Sequence, residues 1–177
     1  MTTSYDEPGG PLAVARTRDE AMLYLELRPC EDCGTVGTAW EHGLAEAGGE
    51  LAASYVTECP GCGAERAYVF ALPSRETPAE DFPVFGGPEP SELLDPGAWL
   101  AVADRSAAAV PEDDPGPALA VARAAVEEVL KFVPPGLGAV PPDAFWTEAG
   151  RTVYDEDPGR FRVDRLLVVR DSYLEQE

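Results

Sequence analysis

The sequence predicts an α+β protein, with a β unit in the N-terminal half of the chain and about four helices in the C-terminal half. Two observations predict this division. Segments rich in aromatic and β-branched residues surround the four cysteines between residues 12 and 72, and such segments favour strands. From Asp95 onward, apolar residues instead recur at helical spacing.

Four parts follow from the changes in composition along the chain. Residues 1–11 are polar and rich in glycine and proline, and we expect a flexible tail there. Residues 12–72 form the β unit. Residues 73–94 contain repeated prolines and a Gly-Gly pair, which predict a connector without regular structure. Residues 95–177 form the helical region, whose aromatic faces we expect to pack on the β unit.

Within the β unit, strands are predicted at residues 23–27, 51–56 and 67–72. The sequence Thr17-Arg18-Asp19-Glu20 matches a capping box, which predicts a short helix ending before Leu23. Residues 42–50 are interpreted as an inserted loop.

Helix starts are predicted where Asp-Pro-Gly occurs at residues 95–97, 114–116 and 157–159. In this motif aspartate can accept hydrogen bonds from free amides, and proline at the first helical position loses none. Trp99, Phe145, Trp146 and Tyr154 lie at helical spacing and are interpreted as core residues.

The cysteines form two Cys-x-x-Cys-Gly pairs separated by 25 residues. Two residues between paired cysteines let both sulfurs face one ion, and the following glycine permits the tight turn. Two such turns complete a tetrahedral four-sulfur site, so we predict that Cys30, Cys33, Cys59 and Cys62 bind Zn²⁺. Iron is the main competitor. Four thiolates leave no open coordination position, which indicates a structural ion and not a catalytic one.

This stretch resembles a zinc ribbon, in which two knuckles lie on adjacent strand hairpins. The resemblance covers about a third of the chain and implies metal binding and a fold, but no single function. The whole chain also resembles a group of uncharacterised bacterial proteins, chiefly actinobacterial, through Cys-Pro-Gly-Cys-Gly at 59–63, the segment 86–97 and Gly-Arg-x-x-Tyr at 150–154. Small acidic proteins of this sort resemble immunity proteins of bacterial toxin systems.

The formal net charge is −20, from 33 acidic and 13 basic residues. A field of this sign repels phosphate backbones and attracts basic partners, although acidity that serves only solubility is an equal alternative. Neither a signal peptide nor an apolar run long enough to span a membrane is present, so we expect a cytoplasmic protein with reduced thiols.

No catalytic or cofactor-binding residue is predicted. The single histidine, His42, is expected in a solvated loop, and the acidic runs at 112–114 and 155–157 are expected in wet turns. The arginines at 160, 162, 165 and 170 alternate with acids and are expected to pair with them.

We therefore expect a non-enzymatic, zinc-stabilised protein that binds a basic protein partner, most concretely an immunity protein that neutralises a toxin. A nucleic-acid-binding or transcription-associated zinc ribbon is the alternative, and an enzyme that uses carboxylates alone is the third. The partner's identity and the oligomeric state stay open.

Overall fold

The computed structural model of the chain describes residues 11–78 and 82–176. The chain divides into two compact units, Met1–Glu76 and Thr77–Glu177. Within the described residues, the first unit holds a helix and a three-stranded antiparallel sheet, and the second holds four α-helices. The α+β class is therefore confirmed. Apart from Pro11, the tail expected at residues 1–11 lies outside the described residues.

The first helix, α1, spans Arg18–Glu26. As the capping box predicts, the Thr17 hydroxyl accepts a hydrogen bond from the Glu20 amide at 3.1 Å. The strand predicted at 23–27 is wrong, because residues 23–26 continue the helix and Leu27 caps it. The alternating leucines there suggested a strand, but Ala21 and Leu25, which are four residues apart, are both fully buried on one helix face.

A buried ion pair fixes the approach to α1. The Glu20 carboxylate is fully buried and accepts a bond from the Arg16 guanidinium at 2.6 Å and another from the Arg16 backbone amide at 2.8 Å. The preceding residues pair with the sheet, since the Ala15 amide donates to the Ala71 carbonyl at 3.2 Å. The start of the described chain is thus tied to the sheet.

The sheet has the order β1-β2-β3, with β1 spanning Glu41–Ala47, β2 spanning Glu50–Glu58 and β3 spanning Glu65–Ala71. The predicted strands at 51–56 and 67–72 are confirmed, with small shifts in their bounds. The loop expected at 42–50 is wrong. Gly48 and Gly49 both have positive φ, at 60° and 84°, as a two-residue hairpin turn requires, and this turn joins β1 to β2.

Aromatic rings cover one face of the sheet. His42, Tyr55 and Tyr68 lie opposite one another on the three strands. The Tyr24 ring of α1 meets the Phe70 and Tyr68 rings edge-on, with centroids 5.6 and 6.4 Å away. Burial raises the pKa of Tyr24 and of Tyr55. This cluster packs α1 onto the sheet.

The second unit contains the predicted set of four helices: α2 Pro96–Ala108, α3 Gly116–Leu130, α4 Glu148–Glu156 and α5 Val163–Leu174. Short 3-10 turns at Pro142–Ala144 and Pro158–Phe161 precede α4 and α5. Helix α3 packs against both α2 and α5, and α4 packs against α2.

The core of the second unit is aromatic. Trp99 and Phe145 are fully buried, as predicted, and the Phe85 ring lies 4.9 Å from that of Trp99. Phe85 comes from the stretch predicted as a connector, so part of that stretch belongs to the core. The prediction for Trp146 is wrong, because this side chain is 49% exposed. It directly follows Phe145, and adjacent side chains outside a helix point in different directions.

The three Asp-Pro-Gly motifs have different outcomes. Asp95 caps α2, as predicted, and Asp157 caps the 3-10 turn that precedes α5. The cap predicted at Asp114 is wrong. Helix α3 begins at Gly116, so its cap position is Pro115, whose ring has no atom that can accept a hydrogen bond.

Asp95 joins the amino ends of α2 and α4. Its carboxylate is fully buried and accepts three hydrogen bonds: from the Ala98 amide at 2.8 Å, the Thr147 amide at 2.9 Å and the Thr147 hydroxyl at 2.7 Å. Gly97 and Gly150 face each other beside it, and a Cβ on Gly97 would collide with the backbone of Gly150. Only glycine permits this close approach of the two helices.

Replacing Asp95→Ala is expected to destabilise the helical unit by about 3 kcal/mol, because three buried donors lose their acceptor. Urea denaturation followed by far-UV circular dichroism measures this loss. Asp143→Ala, at an exposed position of a 3-10 turn, serves as the matched control. Equal unfolding midpoints for the two variants would contradict this role of Asp95.

Candidate metal centre

The two cysteine turns have the same backbone geometry. In each, the amide of the first cysteine donates to the carbonyl five residues later, and the glycine amide donates back to the carbonyl of the first cysteine. The distances are 2.9 Å for Cys30 to Thr35, 2.8 Å for Gly34 to Cys30, 2.8 Å for Cys59 to Ala64 and 2.8 Å for Gly63 to Cys59. Gly34 and Gly63 have φ of 74° and 76°, a conformation that other residues rarely adopt.

Different elements present the two turns. The first follows α1, and the second is the loop that joins β2 to β3. The sheet therefore holds the second turn directly, whereas the first depends on contacts with its surroundings.

All four predicted ligands come together. The Cys30 and Cys62 sulfurs are 3.8 Å apart, those of Cys33 and Cys59 are 3.6 Å apart, and all four lie within 4.8 Å of one another. A tetrahedral ion with Zn–S bonds of about 2.3 Å has sulfurs about 3.8 Å apart, whereas a disulfide needs about 2.05 Å. The geometry thus fits a four-sulfur metal site. It does not identify the ion.

Hydrogen bonds stabilise the thiolate form of two of the four cysteines, Cys33 and Cys59. The amides of Cys62 and Gly61 donate to Cys59 and lower its pKa to about 6. The hydroxyl and amide of Thr35 lower the pKa of Cys33, with the hydroxyl oxygen 3.1 Å from its sulfur. Thiolate is the form that binds metal, so these donors favour binding.

The pKa of Cys62 is raised instead of lowered. The Ala64 amide lowers its pKa, but the neighbouring Cys33 sulfur, burial and the other two sulfurs raise it further, to about 12. Crowded thiols resist the loss of several protons because like charges repel. A divalent cation at the centre of the cluster would remove this repulsion.

Two residues outside the predicted ligand set, Gly61 and Arg66, support the first turn. Gly61 leaves room for the Thr35 hydroxyl, since a Cβ there would collide with it. The Arg66 guanidinium donates to the Arg28 carbonyl at 2.9 Å, just before the first turn, and lies 4.9 Å from the Trp40 ring centre. Arg66 therefore tethers the first turn to β3. Nothing in its spacing along the sequence indicated this contact.

Two open hollows lie beside Arg66. One, of about 430 Å³, is lined by Trp40, Thr57 and three glutamates among other residues. The other, of about 350 Å³, includes Cys30, Tyr68 and the acids Glu31, Asp32 and Glu65. Both hollows therefore combine an arginine and aromatic rings with several carboxylates.

The other candidate residues lie outside the cysteine cluster. His42 is exposed on β1, not in a loop, and its ring stacks 6.3 Å from that of Tyr55. Residues 112–114 are exposed between α2 and α3, as expected. The acids expected in a turn at 155–157 instead complete α4, and Asp157 then caps the next turn.

The arginine cluster pairs with acids, as expected. Each guanidinium contacts a carboxylate, and the pairs are Arg160–Asp104 at 2.6 Å, Arg162–Asp164 at 3.1 Å, Arg165–Asp157 at 2.9 Å and Arg170–Asp171 at 2.6 Å. The bond from Arg162 also lowers the pKa of Asp164.

Three acids are buried in the described part of the chain, and no sequence pattern predicted their burial. Glu20 pairs with Arg16, Glu128 pairs with Lys131, and Asp95 joins α2 to α4. None of the three lines either of the hollows beside Arg66. Each of the three buried carboxylates is compensated by an ion pair or by hydrogen bonds that stabilise the fold.

No protein-family model, curated protein or solved structure matches this chain. Among the described residues, no helix is both long and apolar enough to cross a membrane.

Replacing Cys59→Ser is expected to release the bound metal and unfold the first unit, because structural zinc contributes on the order of 10 kcal/mol to such small folds. Metal content by mass spectrometry and thermal melting measure the two effects. Wild-type metal content and melting in this variant would show that the cluster is not a metal site.

Replacing Thr35→Val is expected to weaken metal binding about tenfold, because Cys33 loses the hydroxyl that donates to its sulfur. Competition with a chromophoric chelator measures the affinity. Thr35→Ser keeps the hydroxyl and is the matched control, so equal affinities for the two variants would disprove this contribution.

Proposed function

We propose that the four cysteines hold a structural Zn²⁺ ion in a zinc-ribbon-like unit, and that this unit belongs to a non-enzymatic protein that binds a basic protein partner. The most concrete form is a bacterial immunity protein that neutralises a toxin in the cytoplasm. We also propose that the chain is related to the actinobacterial proteins that its sequence resembles. The observation that carries the proposal is the distribution of charge on the second unit.

Cations of the second unit are largely neutralised within that unit. Besides the four paired arginines of α5 and the turn before it, Arg123 contacts Glu127 at 3.2 Å and Lys131 contacts Glu128. Arg151 donates to the Phe145 carbonyl at 2.7 Å. Few basic groups are left to face a phosphate backbone, which argues against a nucleic acid as the ligand of this surface.

Acids of the same unit are in surplus. Residues 77–177 contain 20 acidic and 8 basic side chains. Glu112, Asp113 and Asp114 are consecutive and exposed, and no ion pair within the described residues involves them. A concentrated negative surface of this kind attracts a basic protein and raises its association rate.

An exposed aromatic side chain provides an anchor. Trp146 is half exposed, and its ring lies 6.0 Å from that of Phe132. Tryptophan is enriched among the residues that dominate binding energy at protein interfaces. The proposal therefore combines electrostatic attraction with one apolar contact.

The test uses the metal-loaded full chain and, as candidate partners, any basic proteins that the genes flanking its own encode. We expect binding whose affinity falls steeply between about 0.05 and 0.5 M salt, because screening weakens attraction between exposed charges. Neutralising the run with Glu112→Gln, Asp113→Asn and Asp114→Asn should weaken binding about tenfold, mainly through slower association.

The matched control changes the charge equally in the first unit, with Glu26→Gln, Glu31→Gln and Glu50→Gln at exposed positions. This control should retain most of the affinity. If salt has no effect on binding, or the two triple variants bind equally, the electrostatic proposal fails.

A second candidate function is single-stranded nucleic-acid binding by the first unit. Arg28 lies 4.1 Å above the Tyr24 ring and Arg66 lies beside Trp40, and neither arginine contacts a carboxylate in the described part of the chain. Arginines stacked on aromatic rings are a feature of such sites. The carboxylates that line the two hollows beside Arg66 would repel the phosphate groups of a nucleic acid. Fluorescence anisotropy with labelled RNA and DNA decides between the two functions.

A further inference from the structure

Strand β1 is an open edge of the sheet. In the part of the chain that the structure describes, β1 pairs with β2 only. The first four residues of β1 are all exposed. Its pairing with β2 runs from Glu41 to Ala47 without a bulge. The strand also lacks lysine and proline, which commonly protect edge strands from pairing.

The hairpin turn determines which backbone groups face outward. In a hairpin with a two-residue turn, the residues that flank the turn, here Ala47 and Glu50, form a hydrogen-bonded pair. Hydrogen-bonded pairs alternate along an antiparallel ladder. The amides and carbonyls of His42, Leu44 and Glu46 therefore point away from β2, toward the open edge.

The sequence of β1 is complementary to itself. When two copies lie antiparallel, one register pairs all seven residues, and its two-fold axis passes through Leu44. In that register His42 lies opposite Glu46 of the other copy, and Glu41 lies opposite Ala47. The three outward-facing residues of each copy then meet as hydrogen-bonded pairs.

Side chains of the same three residues favour this register. Residues at alternate positions share a sheet face, so the exposed Leu44, 65% accessible, would meet its counterpart between two His–Glu pairs. Histidine can donate a hydrogen bond to a carboxylate whether or not it is protonated. Leu51, exposed on the same face of β2, lies beside this centre.

We propose that β1 is a homodimer interface, at which two copies of the chain join their sheets edge to edge into one six-stranded antiparallel sheet. This inference is independent of the proposed partner binding. Pairing along a seven-residue edge buries little surface area. We therefore expect a weak dimer, with a dissociation constant in the micromolar range or above.

Sedimentation velocity of the metal-loaded full chain tests the dimer over concentrations up to about 1 mM. Salt at about 0.15 M screens the repulsion between two chains that each carry a charge of −20. We expect a monomer–dimer equilibrium. His42→Glu places a carboxylate opposite Glu46 of the other copy, and should weaken the dimer at least tenfold.

The double variant His42→Glu with Glu46→Lys restores opposite charges across the interface and should recover most of the affinity. Leu72→Lys, at an exposed position just after β3 and on the far side of the sheet from β1, should leave dimerisation nearly unchanged. Metal content and circular dichroism confirm that each variant is folded. A chain that stays monomeric throughout, or a dimer that tolerates His42→Glu, or a double variant as weak as the single one, overturns the proposal.

Leu44→Pro is an additional test. It removes an outward-facing amide that β2 does not use, so the sheet can form while the dimer loses its central hydrogen bonds. If this variant is folded and still dimerises as the wild type does, the dimer uses another surface and the proposal is wrong.

Discussion

The convergence of four sulfurs is the constraint on which the first unit depends. Two turns from different parts of the chain place their cysteines within 4.8 Å of one another, although 25 residues separate the pairs. A sheet of three short strands and one helix buries few large side chains, so metal binding would supply much of its stability. The surrounding amides, Thr35 and Arg66 all act on this cluster, by lowering a thiol pKa or by tethering a turn.

A single buried carboxylate has a comparable position in the second unit. Asp95 accepts hydrogen bonds from the first turn of α2 and from the residue that caps α4. The nearby glycines allow the two backbones to approach closely. Each unit is thus organised around a small polar centre as well as an apolar core, and the two centres differ in chemistry.

Charge connects the architecture to the proposed functions. The cations of the second unit are largely engaged by acids of the same unit, which leaves acids in surplus at its surface. In the first unit, Arg28 and Arg66 lie against aromatic rings. Strand β1 carries a histidine and a glutamate spaced so that two antiparallel copies would match. Salt weakens the attraction of the first two surfaces for charged ligands but screens the repulsion between two acidic copies of the chain, so it separates dimerisation from the other two interactions.

Short-range chemistry is what the sequence by itself determined. The cysteine spacing predicted all four members of the cluster, and the capping motifs predicted the starts of α1 and α2, because both depend on residues only a few positions apart. The sequence misplaced 23–27 and 42–50, since leucine alternation suits a strand and an amphipathic helix alike, and β1 is too exposed to show a clear apolar pattern. Only the tertiary structure decided that Asp95 is buried between two helices and where Arg66 and Arg160 bind, because the partners of these three residues lie 38 to 56 residues away in the chain.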